Sequence, residues 1–331
     1  MVDGKFSLSE TFPEIKKILE KGIYSHNSNK EWISDPYIGF RLKKLEKIVE
    51  DKLILKTNSL GLRAKELKFK ENFDAIFLGG SYVYGSYASS QDKTITEIYS
   101  KIHNEKSLNA GIGGHVLKQH ISLYYNYLSD LNTKKIFLIF GFNDMGNCFQ
   151  GKDFNEVKLD LFNDKINQIN QRPIRESLKI FLSEILRILN LEFLKKIIKK
   201  FIKKKHNLNK KPDIAKYIFD IIQTVKMFKN YCSYKEIDLK IILQPTLLGV
   251  NRDFTKYELN YLKKIPNENK KFCENFFELL DKELSKFDNY FNFKNIYDGI
   301  KNNVFIDIVH TNDIGNTIFV KNLDKIIKNN I

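Results

Sequence analysis

Three side chains in this sequence have the types and spacing of an activated nucleophile: Ser81, Asp307 and His310. Ser81 follows Gly79-Gly80 at the end of the apolar run Asp74 to Leu78. A tight turn there can present a hydroxyl at the mouth of a sheet, with the first N–H groups of a helix near its oxygen. His310 comes three residues after Asp307, so the carboxylate can hold one ring nitrogen while the other faces a hydroxyl. The chemistry of such a set is attack of the serine oxygen on an acyl carbon with histidine as base. Each segment also has a plainer reading, since strand-Gly-Gly turns bind phosphates or merely turn, and an Asp and a His near a helix start can simply bond to each other.

Acyl transfer further needs donors aimed at the developing oxyanion, each of which is worth roughly 3 to 4 kcal/mol of barrier. Two segments offer them, Asn109-Ala110-Gly111-Ile112-Gly113-Gly114 and Gly141-Phe142-Asn143-Asp144. Gly111 can bring a bare backbone N–H close to a ligand, and Asn143 carries a side-chain NH₂. Gln244, at the end of the run Leu239 to Leu243, and Gly80, beside the serine, are candidates to line the pocket.

The elements that must position these residues follow from periodicity. Apolar runs of β-forming residues at Asp74 to Leu78, Lys135 to Phe140 and Leu239 to Leu243 read as strands, with weaker ones at Ser107 to Asn109 and Val304 to Ile306. Helical patterns at His115 to Leu131, Ile214 to Tyr231, Asn269 to Phe287 and Ile314 to Ile327 alternate with them. The alternation predicts a three-layer α/β/α sandwich with a mainly parallel, flavodoxin-like five-stranded sheet, whose ligands bind at the carboxyl ends of the strands. Residues 1–70 read as an N-terminal extension packed on that core, and residues 71–331 as one domain carrying a helical insertion at about 151–211.

Four blocks carry a resemblance: Ser81, Gly111, Asn143 and His310, in that order and each at a strand end. The chain resembles the SGNH hydrolases, also called GDSL-like esterases and lipases, over about residues 71–331 less the insertion. The resemblance implies Ser81 as nucleophile, His310 as base and Asp307 as its partner. It also implies an oxyanion hole made by the N–H groups of Ser81 and Gly111 and the Asn143 side chain. The family's Gly-Asp-Ser reads Gly79-Gly80-Ser81 here, which leaves the triad intact. Asp35-Pro36 to Arg41, Asn58 to Arg63 and Leu243-Gln244-Pro245-Thr246 resemble a bacterial branch often associated with surface polysaccharide. The implied activity is removal of a small acyl group, acetyl first, from a carbohydrate or related ester, without cofactor or metal. A sugar hydroxyl in place of water would make the same residues an O-acyltransferase. A non-catalytic module binding glycan or membrane is the alternative from another class.

Composition narrows the partners. The net charge of +15 is uneven: nine lysines and no acid lie between Phe193 and Lys211, so it does not indicate a nucleic-acid partner. Leu194, Ile197, Ile198, Phe201 and Ile202 fall on one helical face between those lysines. The helix at 194–205 therefore reads as a lid packed on the domain, or as an interfacial element for anionic lipid or an acidic partner. Three widely spaced cysteines, Cys148, Cys232 and Cys273, and the lack of a signal-like or membrane-spanning apolar run read as a cytoplasmic protein, with membrane contact only at the periphery. His115 and His120 have metal-ligand spacing without a third ligand. A nucleotidyltransferase reading of the Gly-Ser turns fails because Asp92 is followed by Lys93-Thr94, without the second carboxylate that two-metal chemistry needs.

Overall fold

The structure is a computed structural model describing residues 11–21, 31–154, 212–249 and 253–328. The N-terminal part holds α1 (Lys16–Glu20) and two antiparallel hairpins, β1 (Trp32–Asp35) with β2 (Gly39–Leu42) and β3 (Leu45–Val49) with β4 (Lys52–Thr57). Then come β5 (Asn72–Gly79), α2 (Ser81–Tyr84), α3 (Ile95–His103), β6 (Ser107–Gly111), α4 (Leu117–Leu123), β7 (Asn132–Phe140) and α5 (Phe142–Phe149). The C-terminal part supplies α6 (Ile214–Tyr234), β8 (Asp238–Leu243), α7 (Lys256–Lys263), α8 (Asn267–Leu284), β9 (Tyr290–Asn292) and α9 (Asp313–Lys328).

The central sheet is parallel throughout, in the order β6-β5-β7-β8-β9. Its inner strands are apolar on both faces because helices cover both. Ile76, Leu78 and Leu138 point into a core shared with α4, α6 and α8. Ala75, Phe77, Phe137 and Ile139 point the other way, into a core completed by α3 and α9. This is the three-layer α/β/α sandwich with a flavodoxin-like sheet. The strand order reverses between β6 and β7 on either side of β5, which opens a crevice at the carboxyl end of β5, the strand that leads to Ser81. Gly79 is in register with both Gly111 and Ile139, so three strands end at one level around it.

The fifth strand is not where the sequence suggested. Val304 to Ile306 lies off the sheet, and Phe305 makes only an isolated antiparallel bridge to Thr311. Val304 and Phe305 pack instead with Leu247 and Tyr297 in a satellite cluster, and their N–H groups point at a Glu258 carboxylate oxygen. A short buried apolar run has the same pattern whether or not it pairs. The run expected to be helical from His115 to Leu131 begins at Leu117 and widens over Tyr124–Leu128 into a π-helical turn. The N-terminal extended segments are held by turn chemistry: Asp35 accepts from the N–H groups of Tyr37 and Ile38, and Asn58 from those of Leu60 and Leu62. The basic helix read at 194–205, and the rest of the insertion beyond residue 154, lie outside the described residues.

Candidate active site

Ser81 is the first residue of α2, with Gly80 in extended conformation at the cap. Its Oγ lies 2.7 Å from His310 Nε2, across 229 residues of chain. His310 Nδ1 lies 2.6 Å from Asp307 Oδ2, while Asp307 Oδ1 accepts from the N–H groups of Val309 at 2.9 Å and His310 at 2.8 Å. A carboxylate accepts at Nδ1, so that nitrogen carries the proton and Nε2 is left to accept from the serine. Burial alone would raise the Asp307 pKa, but the positive charge that His310 can carry and the bonds from its ring and the two N–H groups bring it below the ordinary 3.8. His310 is 9% exposed, so the pair is shielded from water without being sealed off.

Several elements hold this loop. Ile306 N–H donates to the His310 carbonyl at 2.8 Å and Asn312 N–H to Val304 at 3.0 Å, closing the segment on itself. The Tyr257 hydroxyl donates to the Ile306 carbonyl from α7. Asp313, opening α9, accepts from the N–H of Ser89 at 2.9 Å and from its hydroxyl, which ties the histidine loop to the segment after the serine helix. The Tyr87 ring stands edge-on to the His310 ring at 5.4 Å. Tyr87 holds φ at +68°, rare for a bulky residue, and burial with the nearby Asp307 charge pushes its hydroxyl up to about 12.

Asn143 reaches the serine turn from the start of α5. One of its amide N–H groups donates to the His115 carbonyl at 2.7 Å, leaving the second to donate elsewhere. A Cβ on Gly80 would come within 2.7 Å of Asn143 Nδ2, so a glycine at 80 is what lets the amide approach the backbone before Ser81. Gly80 is buried against that amide and is not an open pocket wall.

Gly111 does not stand free to donate, contrary to the sequence expectation. Its N–H is given to Asn109 Oδ1 at 3.0 Å, and a Cβ there would lie 2.2 Å from the Tyr84 nitrogen. It is a packing glycine that lets α2 press onto β6. The glycine of this segment that lies against the Ser81 side chain is Gly113, where a Cβ would sit 3.8 Å from Ser81 Cβ. Gly114, at φ +80°, makes the turn in which His115 N–H returns to the Ile112 carbonyl. The signal for this was present in the Gly113-Gly114 pair just past the strand end. Trp32 and Tyr87, also at the site, had no such signal.

Gln244 is buried, gives its backbone N–H to the Phe140 carbonyl at 3.1 Å, and lines a cavity of about 70 Å³ with Thr246, Phe277 and Glu278. Neither Ser81 nor His310 borders that cavity. His115 Nε2 bonds the Phe40 carbonyl at 2.8 Å, and among the described residues no group of three or more His, Cys, Asp or Glu is arranged to hold a metal ion.

The sheet order and the two helix layers fit the fold that the SGNH resemblance implies. No family model and no curated protein matches the sequence. Among solved structures, the chain is similar to a protein from Desulfitobacterium hafniense described as lipolytic and of the G-D-S-L family, at 9% identity and TM-score 0.40, covering 76% of this chain and 97% of that one. It is also similar to one from Bacteroides ovatus described as a GDSL-like lipase, at 14% identity and TM-score 0.42, covering 81% of this chain and 55% of that one. A catalytic mutant of an acetylxylan esterase from Geobacillus stearothermophilus is similar at 11% identity and TM-score 0.39, covering 77% of this chain and 93% of that one. No helix among the described residues is long and apolar enough to cross a membrane.

Proposed function

We propose that this SGNH-fold chain is a serine ester hydrolase that removes a small acyl group, acetyl first, from a carbohydrate or related ester. The observation that carries the reading is the unbroken run from Ser81 Oγ through the His310 ring to the Asp307 carboxylate, with contacts of 2.7 and 2.6 Å. In this reading Ser81 Oγ attacks the ester carbonyl carbon while its proton passes to His310 Nε2, and the carbonyl oxygen becomes an oxyanion. The donors this reading assigns to that oxygen are the Ser81 N–H, the second amide N–H of Asn143 and the backbone of the Gly113 turn. The tetrahedral intermediate collapses, the C–O bond to the alcohol breaks, and His310 returns its proton to the leaving oxygen. Water then repeats the sequence on the acyl-serine and releases the acid. Asp307 stays ionised throughout, holding the ring and balancing the imidazolium.

The test pairs covalent labelling by a fluorophosphonate probe with turnover of p-nitrophenyl acetate. Wild type is expected to do both, and Ser81→Ala to lose labelling and drop turnover by roughly 10⁴-fold or more. A wild type inert in both assays, or a Ser81→Ala variant as active as wild type, would sink the reading.

A further inference from the structure

The glycines around Ser81 differ in what they permit. A Cβ on Gly79 would lie 2.3 Å from a Val83 methyl, and one on Gly111 2.2 Å from the Tyr84 nitrogen, so the fold itself demands glycine at both. Nothing of the kind holds at Gly113. Its φ is outside the left-handed region, and a Cβ there would meet only Ser81 Cβ and Trp32 Cη2, each at 3.8 Å, an ordinary van der Waals distance. The fold would accept alanine, so packing does not require glycine at 113.

We propose that this gap, between the Ser81 side chain and the edge of the Trp32 ring with Gly113 as its floor, is the acyl subsite, and that it admits acetyl-sized groups. The inference rests on the esterase reading above and names the acyl class it would accept. A carbon at the Gly113 Cβ position would be in van der Waals contact with both Ser81 Cβ and Trp32 Cη2, and on this proposal the subsite is one carbon deep there. It takes a methyl and turns away a chain that must lie alongside Trp32.

Trp32 is a fixed wall. Its ring stands edge-to-face with Phe40 at 5.4 Å, and Phe40 stands edge-to-face with His115 at 4.8 Å. The Phe40 carbonyl is bonded to His115 Nε2, and the hairpin pairs Trp32 with Leu42. The N-terminal hairpin is thus tied to the turn that carries Gly113, and moving the tryptophan means breaking that stack.

The layers decide which half of the ester enters the gap. His310 precedes α9, which packs on the Phe77 and Phe137 face of the sheet, whereas Gly113 precedes α4, which packs on the Leu78 and Leu138 face. The leaving alcohol must take its proton from His310 and so lies on the α9 side. The acyl substituent points the other way, toward Gly113 and Trp32.

The experiment measures kcat/KM of the full chain for p-nitrophenyl formate, acetate, butyrate and octanoate in wild type, Trp32→Leu and Gly113→Ala, with melting temperatures alongside. Wild type should favour acetate over butyrate by roughly 10-fold or more, and Trp32→Leu should move that ratio toward butyrate by about the same factor. Gly113→Ala should melt like wild type and lose acetate turnover by about 100-fold while losing less on formate, which has no methyl to displace. Should Trp32→Leu fail to fold, Gly113→Ala decides alone. An active wild type whose chain-length profile survives in both folded variants overturns the acyl subsite and leaves the esterase reading standing. A wild type inert on every ester overturns that reading, and the subsite falls with it.

Discussion

Asp307 uses both of its oxygens. One accepts two backbone N–H groups and so shapes the turn, and the other fixes the His310 tautomer. Asparagine at this place would keep the shape but can offer an N–H to Nδ1, moving the ring proton to Nε2, where it opposes the serine proton. Asp307→Asn is therefore expected to lower kcat by roughly 10³ to 10⁴-fold while the chain stays folded. Stability should follow pH with a definite sign. The folded pKa is lowered from 3.8, so the carboxylate's contribution is fully present above that value and is lost as pH falls through the lower folded one. Urea unfolding of wild type and Asp307→Asn should differ most near about pH 7 and converge in acid. A gap that widens in acid would contradict the assignment of Asp307 as the ionised partner. At this scale the sequence singled out residues whose chemistry is rare and paired, and the structure brings Ser81, His310 and Asp307 into contact and Asn143 beside Gly80. The sequence misled at Gly111, because a glycine's type does not say whether its freedom serves a ligand or a neighbouring helix.

The serine helix depends on a residue from the segment that follows the second hairpin. Arg63, fully buried after the second hairpin, donates to the carbonyls of Tyr84 and Gly85 at the end of α2, to the Ile54 carbonyl and to Gln91 Oε1. It binds the hairpin to the helix that begins with Ser81. Arg63→Met keeps the stem but strands several buried carbonyls, and should cost about 3 kcal/mol in urea unfolding. The loosened helix should also slow fluorophosphonate labelling of Ser81, measured where both proteins are fully folded. Unchanged stability would show that water replaces the guanidinium. The inner strands were readable because burial on both faces leaves near-continuous apolar runs. Val304 to Ile306 has the same run without a partner strand, and Tyr290–Asn292, too short for a pattern of its own, takes the edge instead.

Across the whole molecule the thiols report the integrity of the cores. Cys148, Cys232 and Cys273 are free and buried, and burial pushes each thiol up to about 12. A thiol-reactive disulfide reagent should find none of them quickly in the native chain and all three after unfolding, because the thiolate is the reactive form. Rapid labelling of one in the native chain would show that its core opens locally. By itself the sequence determined the layered parallel sheet and the set of chemical groups at its strand ends, since apolar periodicity and residue type are local properties. Only the tertiary structure decided that Gly113 lies against the Ser81 side chain, that Gln244 borders a cavity with Phe277 and Glu278, and that Trp32, from the N-terminal hairpin, reaches Gly113. Those are distances between segments remote in the chain, and they are set by how the two helix layers and the hairpins pack against one sheet.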